Sequence, residues 1–299
     1  MLIRYILKCF LKQMPLLPFF YRSVRSGFLK VREFVSVTKL RFRSRPFYPD
    51  PTANLIVSLT SFPARIDHAW IAIESIFQQD MRPSKVVLVL SDEEFPKRDL
   101  PESIQQQVRR GLEILWTPRN TRSFKKLLPT RERYPDATIV TVDDDILYES
   151  WRLRQLVEAA KAEPHAIIGH RGWVATRTPN GLAPYVSWPI AGPETPAGLT
   201  FLTGVGGILY PPHVLPLKEL LNIDLAMELC PLADDIWFWA IARNAGVECY
   251  CLGNHGTQSV QRLKESPALC HSNWGEGQND IQLKAVIAHF GLDYSVKPS

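Results

Sequence analysis

Four short runs of aliphatic and β-branched residues set the terms for this chain. They are ANLIVSLT (53–60), SKVVLVLS (84–91), LEILW (112–116) and ATIVTV (137–142), each flanked by turn-forming residues. Runs this short read as buried strands rather than helices. Between the first two, IDHAWIAIESIFQQ carries Ile66, Trp70, Ile73, Ile76 and Phe77 at helical spacing. PESIQQQVRRG and FKKLLPTRERY suit shorter helices. Apolar strands alternating with helices predict an α/β domain with a mostly parallel sheet covered on both faces.

The second half is less regular. WRLRQLVEAAKAEP reads as a helix and HAIIGHRGWVAT as one or two strands. RTPNGLAPYVSWPIAGPETPAG (177–198) is a long Pro- and Gly-rich loop of the kind that faces substrate or acts as a lid. LTFLTGVGGILYPP is apolar and punctuated by Gly204, Gly206 and Gly207, which permit close backbone approach to a ligand or a tight turn. DDIWFWAIARNAG predicts a helix begun by acids and closed at Gly246, and VECYCLG predicts a strand. NDIQLKAVIAHFG predicts a last amphipathic helix with an Asn or Asp cap and Gly291 at its end.

Charge divides the chain. Residues 1–46 hold eleven Lys or Arg against the single acid Glu33, a net +10, so the other 253 residues carry −5 of the overall +5. The basic character therefore belongs to an N-terminal arm, and the body has neither the charge nor a motif for nucleic acid. The apolar runs of the arm are too short to span a bilayer or to serve as a signal peptide. Basic and bulky apolar residues together suit an anionic membrane surface, or a helical extension packed on a partner. The proline-rich RPFYPDPTAN comes next, so the division expected is an arm and linker over 1–50 and a catalytic domain over 51–299. The five Cys are odd in number and lack zinc spacing, and Cys249 and Cys251 share one side of a strand, as core residues do. A reducing cytoplasm fits, with the arm peripheral on the inner face of a membrane.

The chemistry is expected where ATIVTV ends. Asp143, Asp144 and Asp145 come directly after that strand, at the carboxyl edge where open α/β sheets bind ligands. On extended backbone Asp143 and Asp145 point the same way and Asp144 away. Two converging carboxylates call for a cation, and a hard divalent metal held there can grip a diphosphate. An acidic turn capping the next helix is the plainer alternative. A second acidic pair, Asp234 and Asp235, heads the DDIWFW helix, one suited to cap it and the other to face the cleft. Lys126, beside Lys125, is within reach of a phosphate, although such pairs are more often solvated. His255 and His271 are further candidate ligands.

In this order the pieces resemble the GT-A nucleotide-sugar glycosyltransferases, of the exostosin-like and family-2-like kind, over roughly 53–250. ANLIVSLTSFPARIDHAWIAIESIFQQ is similar to their opening strand, nucleotide loop and helix. TVDDDILY is similar to the D-x-D motif, FLTGVGGILYPP to the acceptor-side segment, and LADDIWFWAIARNAG to the late acidic motif. The resemblance implies a GT-A (Rossmann-like) fold and transfer of a sugar from a nucleoside diphosphate, UDP-type favoured, to a glycan or lipid-linked hydroxyl. Cell-surface polysaccharide synthesis is the implied setting. Thr60, Ser61 and Arg65 would hold the nucleoside and diphosphate, Asp143 the ribose or metal-bound water, and Asp145 Mn2+ or Mg2+. Asp235 would be the base of an inverting enzyme or a sugar-face carboxylate of a retaining one. Asp234 stands where Glu is usual, which leaves the division between the two acids open. A haloacid-dehalogenase-like phosphohydrolase also uses D-x-D after a strand, but there the motif opens the domain. A non-catalytic module that binds a glycan or partner at a membrane is the other alternative.

Overall fold

Strand β1 (Leu55–Thr60) lies inside the sheet, between β2 (Lys85–Ser91) and β4 (Thr138–Thr141), and pairs parallel with both. In the computed structural model, residues 37, 38, 40, 46–253, 261–262 and 277–294 are described. The chain separates into two compact units, Met1–Arg45 and Pro46–Ser299, and the second carries every element named below. The arm over 1–46, apart from residues 37, 38, 40 and 46, and the candidates His255 and His271 lie outside the described residues.

Seven strands form the main sheet. Besides β1, β2 and β4 they are β3 (Leu112–Thr117), β6 (Ile167–Gly169), β11 (Ile208–Tyr210) and β12 (Cys249–Cys251). Their spatial order is β12-β6-β11-β4-β1-β2-β3, and only β11 runs against its neighbours. The fold is thus α/β with a mostly parallel central sheet, the class that the alternating pattern and the GT-A resemblance lead one to expect. Short two-stranded pairs join β5 (Ile146–Leu147) to β13 (Gln261–Arg262), β7 (Gly172–Val174) to β10 (Thr200–Leu202), and β8 (Arg177–Thr178) to β9 (Gly181–Leu182).

Both faces of the sheet are dry, as parallel strands require. Ile56, Val87, Val89, Ile139, Ile208 and Tyr210 join one cluster with α7 (Asp234–Asn244) and α8 (Gln278–Phe290). The alternate residues Val57, Leu59, Val86, Leu88 and Val140 are equally buried, and their period of two sends them to the opposite face. That face is covered by α1 (Ile66–Phe77) and α4 (Arg152–Ala162), with α2 (Glu102–Arg109) beside α1. Helix α7 is apolar all round, since Ile236 through Ala242 are buried, and such a helix belongs in an interior. It ends with Gly246 at φ +70, where Val247 donates its N–H to the Ala242 carbonyl, the left-handed stop the sequence suggested.

Local differences from expectation have local causes. FKKLLPTRERY splits into a 3-10 turn (Arg122–Lys126) and α3 (Leu128–Arg133), because Pro129 opens a new helix in its first turn. The N-cap of α7 is Ala233, with no side-chain cap, since Asp234 is engaged elsewhere. Gly277, not Asn279 or Asp280, caps α8, and the Asp280 carboxylate instead accepts the Tyr185 N–H at 2.8 Å. The 177–198 loop is anchored rather than loose, because Tyr185 and Trp188 are buried against Phe201. Helices α5 (Leu217–Leu220) and α6 (Ile223–Leu229) lead into α7. At the opposite end of β4 and β11, the buried Arg131 donates to four carbonyls, those of Pro135, Ala137, Tyr210 and Pro211. Burial pulls its pKa down to about 10.

Candidate active site

The reversal of β11 decides what meets at the carboxyl edge. Segments leaving β1 and β4 arrive there, and so does the segment entering β11, a 3-10 turn over Gly204–Gly206. The start of α7 completes the group.

The acids do not lie on extended backbone. Strand β4 ends at Thr141 and β5 begins at Ile146, so Asp143, Asp144 and Asp145 ride a turn between them. Strand alternation stops before it reaches them, and each carboxylate finds its own partner. Asp144 is buried, as expected of the middle acid. It accepts from Ser61 Oγ at 2.6 Å and from Arg65 Nη1 at 3.1 Å. Burial pushes its pKa up, against those two donors. The same Arg65 nitrogen lies 3.1 Å from Asp145 Oδ2, and the guanidinium rests over the Phe62 ring. Asp143 turns instead toward Lys126, whose Nζ is 3.3 Å from Asp143 Oδ1 and 3.1 Å from Asp234 Oδ2.

Lys126 therefore ties the two acidic segments together, 91 residues apart in sequence at their nearest linked acids, Asp143 and Asp234. Burial alone would lower its pKa, but Asp143, Asp234 and Asp235 outweigh burial and hold the pKa well above the ordinary lysine value. Gly204 makes the arrangement possible. A Cβ there would stand 2.7 Å from Lys126 Nζ and 3.2 Å from Asp143 Oδ1. The glycine permits close approach, as its position suggested, and what approaches is a lysine of the same chain. Its N–H points to Asp235 Oδ2 at 3.4 Å, while Asp235 Oδ1 is buried without a hydrogen-bond donor among the described residues. Burial first, and Asp234 second, push the Asp235 carboxyl up to about 7.

Of the residues singled out from sequence, Ser61, Arg65, Lys126, Asp143, Asp144, Asp145, Asp234 and Asp235 form this group. Thr60 is set apart from it, because its hydroxyl donates to the Val89 carbonyl at 2.8 Å and ties β1 to β2. The lysine pair is not solvated. Lys125 is 1% exposed and pairs with Glu94, and it also reaches Asn120 Oδ1 at 3.0 Å. Sequence reasoning passed over Tyr148, whose phenol oxygen accepts the Asp143 N–H at 2.8 Å. Nothing in spacing or composition marks that contact.

The donor set suits a hard divalent cation. Five carboxylates surround Arg65 and Lys126, which leaves an excess of negative charge on oxygen ligands. Among the described residues no group of three or more His, Cys, Asp or Glu is placed to hold a metal by itself. Mg2+ is ordinarily held by one or two carboxylates together with substrate phosphates; here Asp143 lies against Lys126 and Asp145 against Arg65.

No protein-family model matches the chain, and none of the curated proteins compared with it does. Solved structures do resemble it. A mannosyltransferase from Pyrobaculum calidifontis, in complex with GDP-Man and Mn2+, is 15% identical over 90% of this chain and 76% of its own, with a TM-score of 0.47. A 4-diphosphocytidyl-2C-methyl-D-erythritol synthase is 12% identical over 76% of this chain and 100% of its own, with a TM-score of 0.46. A CMP:2-keto-3-deoxy-manno-octonic acid synthetase complexed with CTP is 14% identical over 66% of this chain and 88% of its own, with a TM-score of 0.41. Among the described residues no helix is long and apolar enough to cross a membrane.

Proposed function

We propose that this chain is a metal-dependent glycosyltransferase that moves a sugar from a nucleoside-diphosphate donor, UDP-type favoured, to a hydroxyl of a glycan or lipid-linked acceptor. One observation carries the reading: Lys126 joins Asp143 to Asp234 at the carboxyl edge of the sheet, so two acidic segments far apart in sequence form one site. Buried carboxylates at this density oppose folding and are kept where a task requires them.

The residues divide the work by position. Arg65 and Ser61 fix the acid turn from β1 and leave Arg65 beside the diphosphate. Lys126 offers a second positive charge to the same group. Asp143 and Asp145 would hold Mn2+ or Mg2+, which when bound would stabilise the charge developing on the leaving diphosphate. Asp234 is held by Lys126, so Asp235 is the acid left to take the acceptor hydroxyl proton if the reaction inverts, or to face the sugar if it retains. The basic arm, within residues 1–50, would bring the catalytic domain, 51–299, to the inner face of a cytoplasmic membrane where a polysaccharide is made.

Thermal unfolding with added ligands tests this. UDP or GDP near 100 times its Kd should raise the midpoint by on the order of 5 °C with Mn2+ present and leave it unmoved with EDTA. A phosphohydrolase would instead release phosphate from an aryl phosphate, and a binding module would respond to neither.

A further inference from the structure

Tyr148 has no part in the roles above, yet the acid turn depends on it. Asp143 has left β4, so its N–H has no strand partner, and an N–H shielded from water must find an acceptor. It donates to the Tyr148 phenol oxygen at 2.8 Å, which closes the turn five residues on. The ring is 4% exposed and is itself anchored. Tyr148 donates its own N–H to Ser75 Oγ at 3.1 Å, and that hydroxyl donates to the Ala72 carbonyl within α1 at 2.7 Å. Beyond it, the Gln79 amide donates to the Glu149 carbonyl at 2.8 Å, and its oxygen accepts the Leu153 N–H at 3.1 Å. One helix thus grips the acid segment twice. Arg65, just before its first turn, holds Asp144 and Asp145. Ser75, in its last turn, and Gln79, just past its end, hold Tyr148, Glu149 and Leu153.

We infer that Tyr148 is a positioning residue for the acid turn: its phenol oxygen fixes the Asp143 backbone and so aims the Asp143 and Asp145 carboxylates at the donor. Packing alone would need the ring and not the hydroxyl. The functional half of the inference rests on the metal-dependent donor site proposed above, whereas the structural half rests on the hydrogen bond itself.

The test compares Tyr148→Phe, which keeps the ring, with Tyr294→Phe, another buried ring, stacked on Trp239. Two quantities are read: backbone hydrogen exchange over residues 142–147 in the unliganded protein, and calorimetric affinity for UDP and GDP in the presence of Mn2+. For Tyr148→Phe, loss of one buried hydrogen bond should speed exchange in that segment by about 5- to 10-fold and weaken Mn2+-dependent nucleotide binding by a similar factor. Tyr294→Phe should change neither. Ser75→Ala, which loosens the tyrosine from behind, should act in the same direction more weakly, and it carries the test if Tyr148→Phe does not fold. Unchanged exchange overturns the inference. Faster exchange with parental affinity overturns the positioning role. If the parent protein itself binds no nucleotide with Mn2+, the proposed function fails, and the exchange result alone decides whether Tyr148 holds the turn.

Discussion

Gly204→Ala is a small substitution with a calculable consequence. The backbone tolerates it, since Gly204 is not among the glycines with left-handed φ. The methyl group does not fit: it would stand 2.7 Å from Lys126 Nζ, where ordinary non-bonded contacts lie at about 3.5 Å or more. Lys126 must retreat by roughly 0.8 Å to reach that spacing. Its ion pairs to Asp143 at 3.3 Å and Asp234 at 3.1 Å then lengthen in a site where the lysine side chain is 7% exposed. Overpacking costs about 1–3 kcal/mol, and outright loss of a buried pair about 3–5 kcal/mol. Since the lysine tip is flexible and the pairs weaken without vanishing, the lower range applies. Urea unfolding should register a loss of ~1–3 kcal/mol, and the melting midpoint should drop by about 2–6 °C for a domain of this size. The mechanism is checked by Lys126→Met, which removes the ammonium head and frees the space. In that background Gly204→Ala should cost little, a coupling of ~1 kcal/mol or more. If the two substitutions add within about 0.5 kcal/mol, the clash is not the cause and the steric account is wrong.

Three further substitutions test the site and its supports. Asp145→Ala should abolish Mn2+-dependent nucleotide binding in calorimetry, and retained binding would remove Asp145 from the metal site. Asp235→Asn should keep nucleotide affinity while turnover drops by about 10²–10⁴, and the parent's rate should climb with pH through about 7, as for a base that must ionise. The same raised pKa has a signature in stability. Between the ordinary 3.8 and about 7, the folded state binds the Asp235 proton more tightly than the unfolded state does, so this contribution to stability is lost as pH rises through that window. Asp235→Asn should therefore gain on the parent in urea midpoint at pH 8 relative to pH 4, and a pH-independent difference would contradict the raised pKa. Arg131→Met strands four buried carbonyls and should cost ~3–5 kcal/mol of stability. Metal-dependent binding by the folded fraction should be untouched, and a loss there would mean that Arg131 acts on the site.

The elements that could be read from sequence were those whose pattern is set by burial on a regular backbone. ANLIVSLT, SKVVLVLS and ATIVTV coincide with β1, β2 and β4 to within about two residues because both faces of those strands are covered, so aliphatic and β-branched side chains dominate them. Helix α1 was legible from Ile66, Trp70, Ile73, Ile76 and Phe77 for the same reason. What could not be read was where the strand alternation ends. The i, i+2 rule places Asp143 and Asp145 together only if the chain stays extended, and it leaves the strand at Thr141. Which cation each acid then meets depends on Arg65, 78 positions before Asp143, and Lys126, 17 before it, contacts that only the folded topology creates. The caps failed for a related reason: Asp234 has the chemistry of an N-cap, but a buried ammonium 3.1 Å away competes for it and wins. Tyr148 escaped notice altogether, because an apolar ring after a short strand looks like core, and its hydroxyl has a purpose only once the turn is closed.

The single inverted strand has a practical corollary for engineering. Because β11 runs backwards, chain inserted ahead of Ile208 would emerge among the carboxylates, while chain inserted after Pro211 would emerge at the other end of the sheet, beside Arg131. His213 sits at that far end with its side chain 63% exposed. A fluorophore or surface tether attached there would leave the carboxylate edge open, whereas the same graft ten residues earlier, at Thr203, would crowd it.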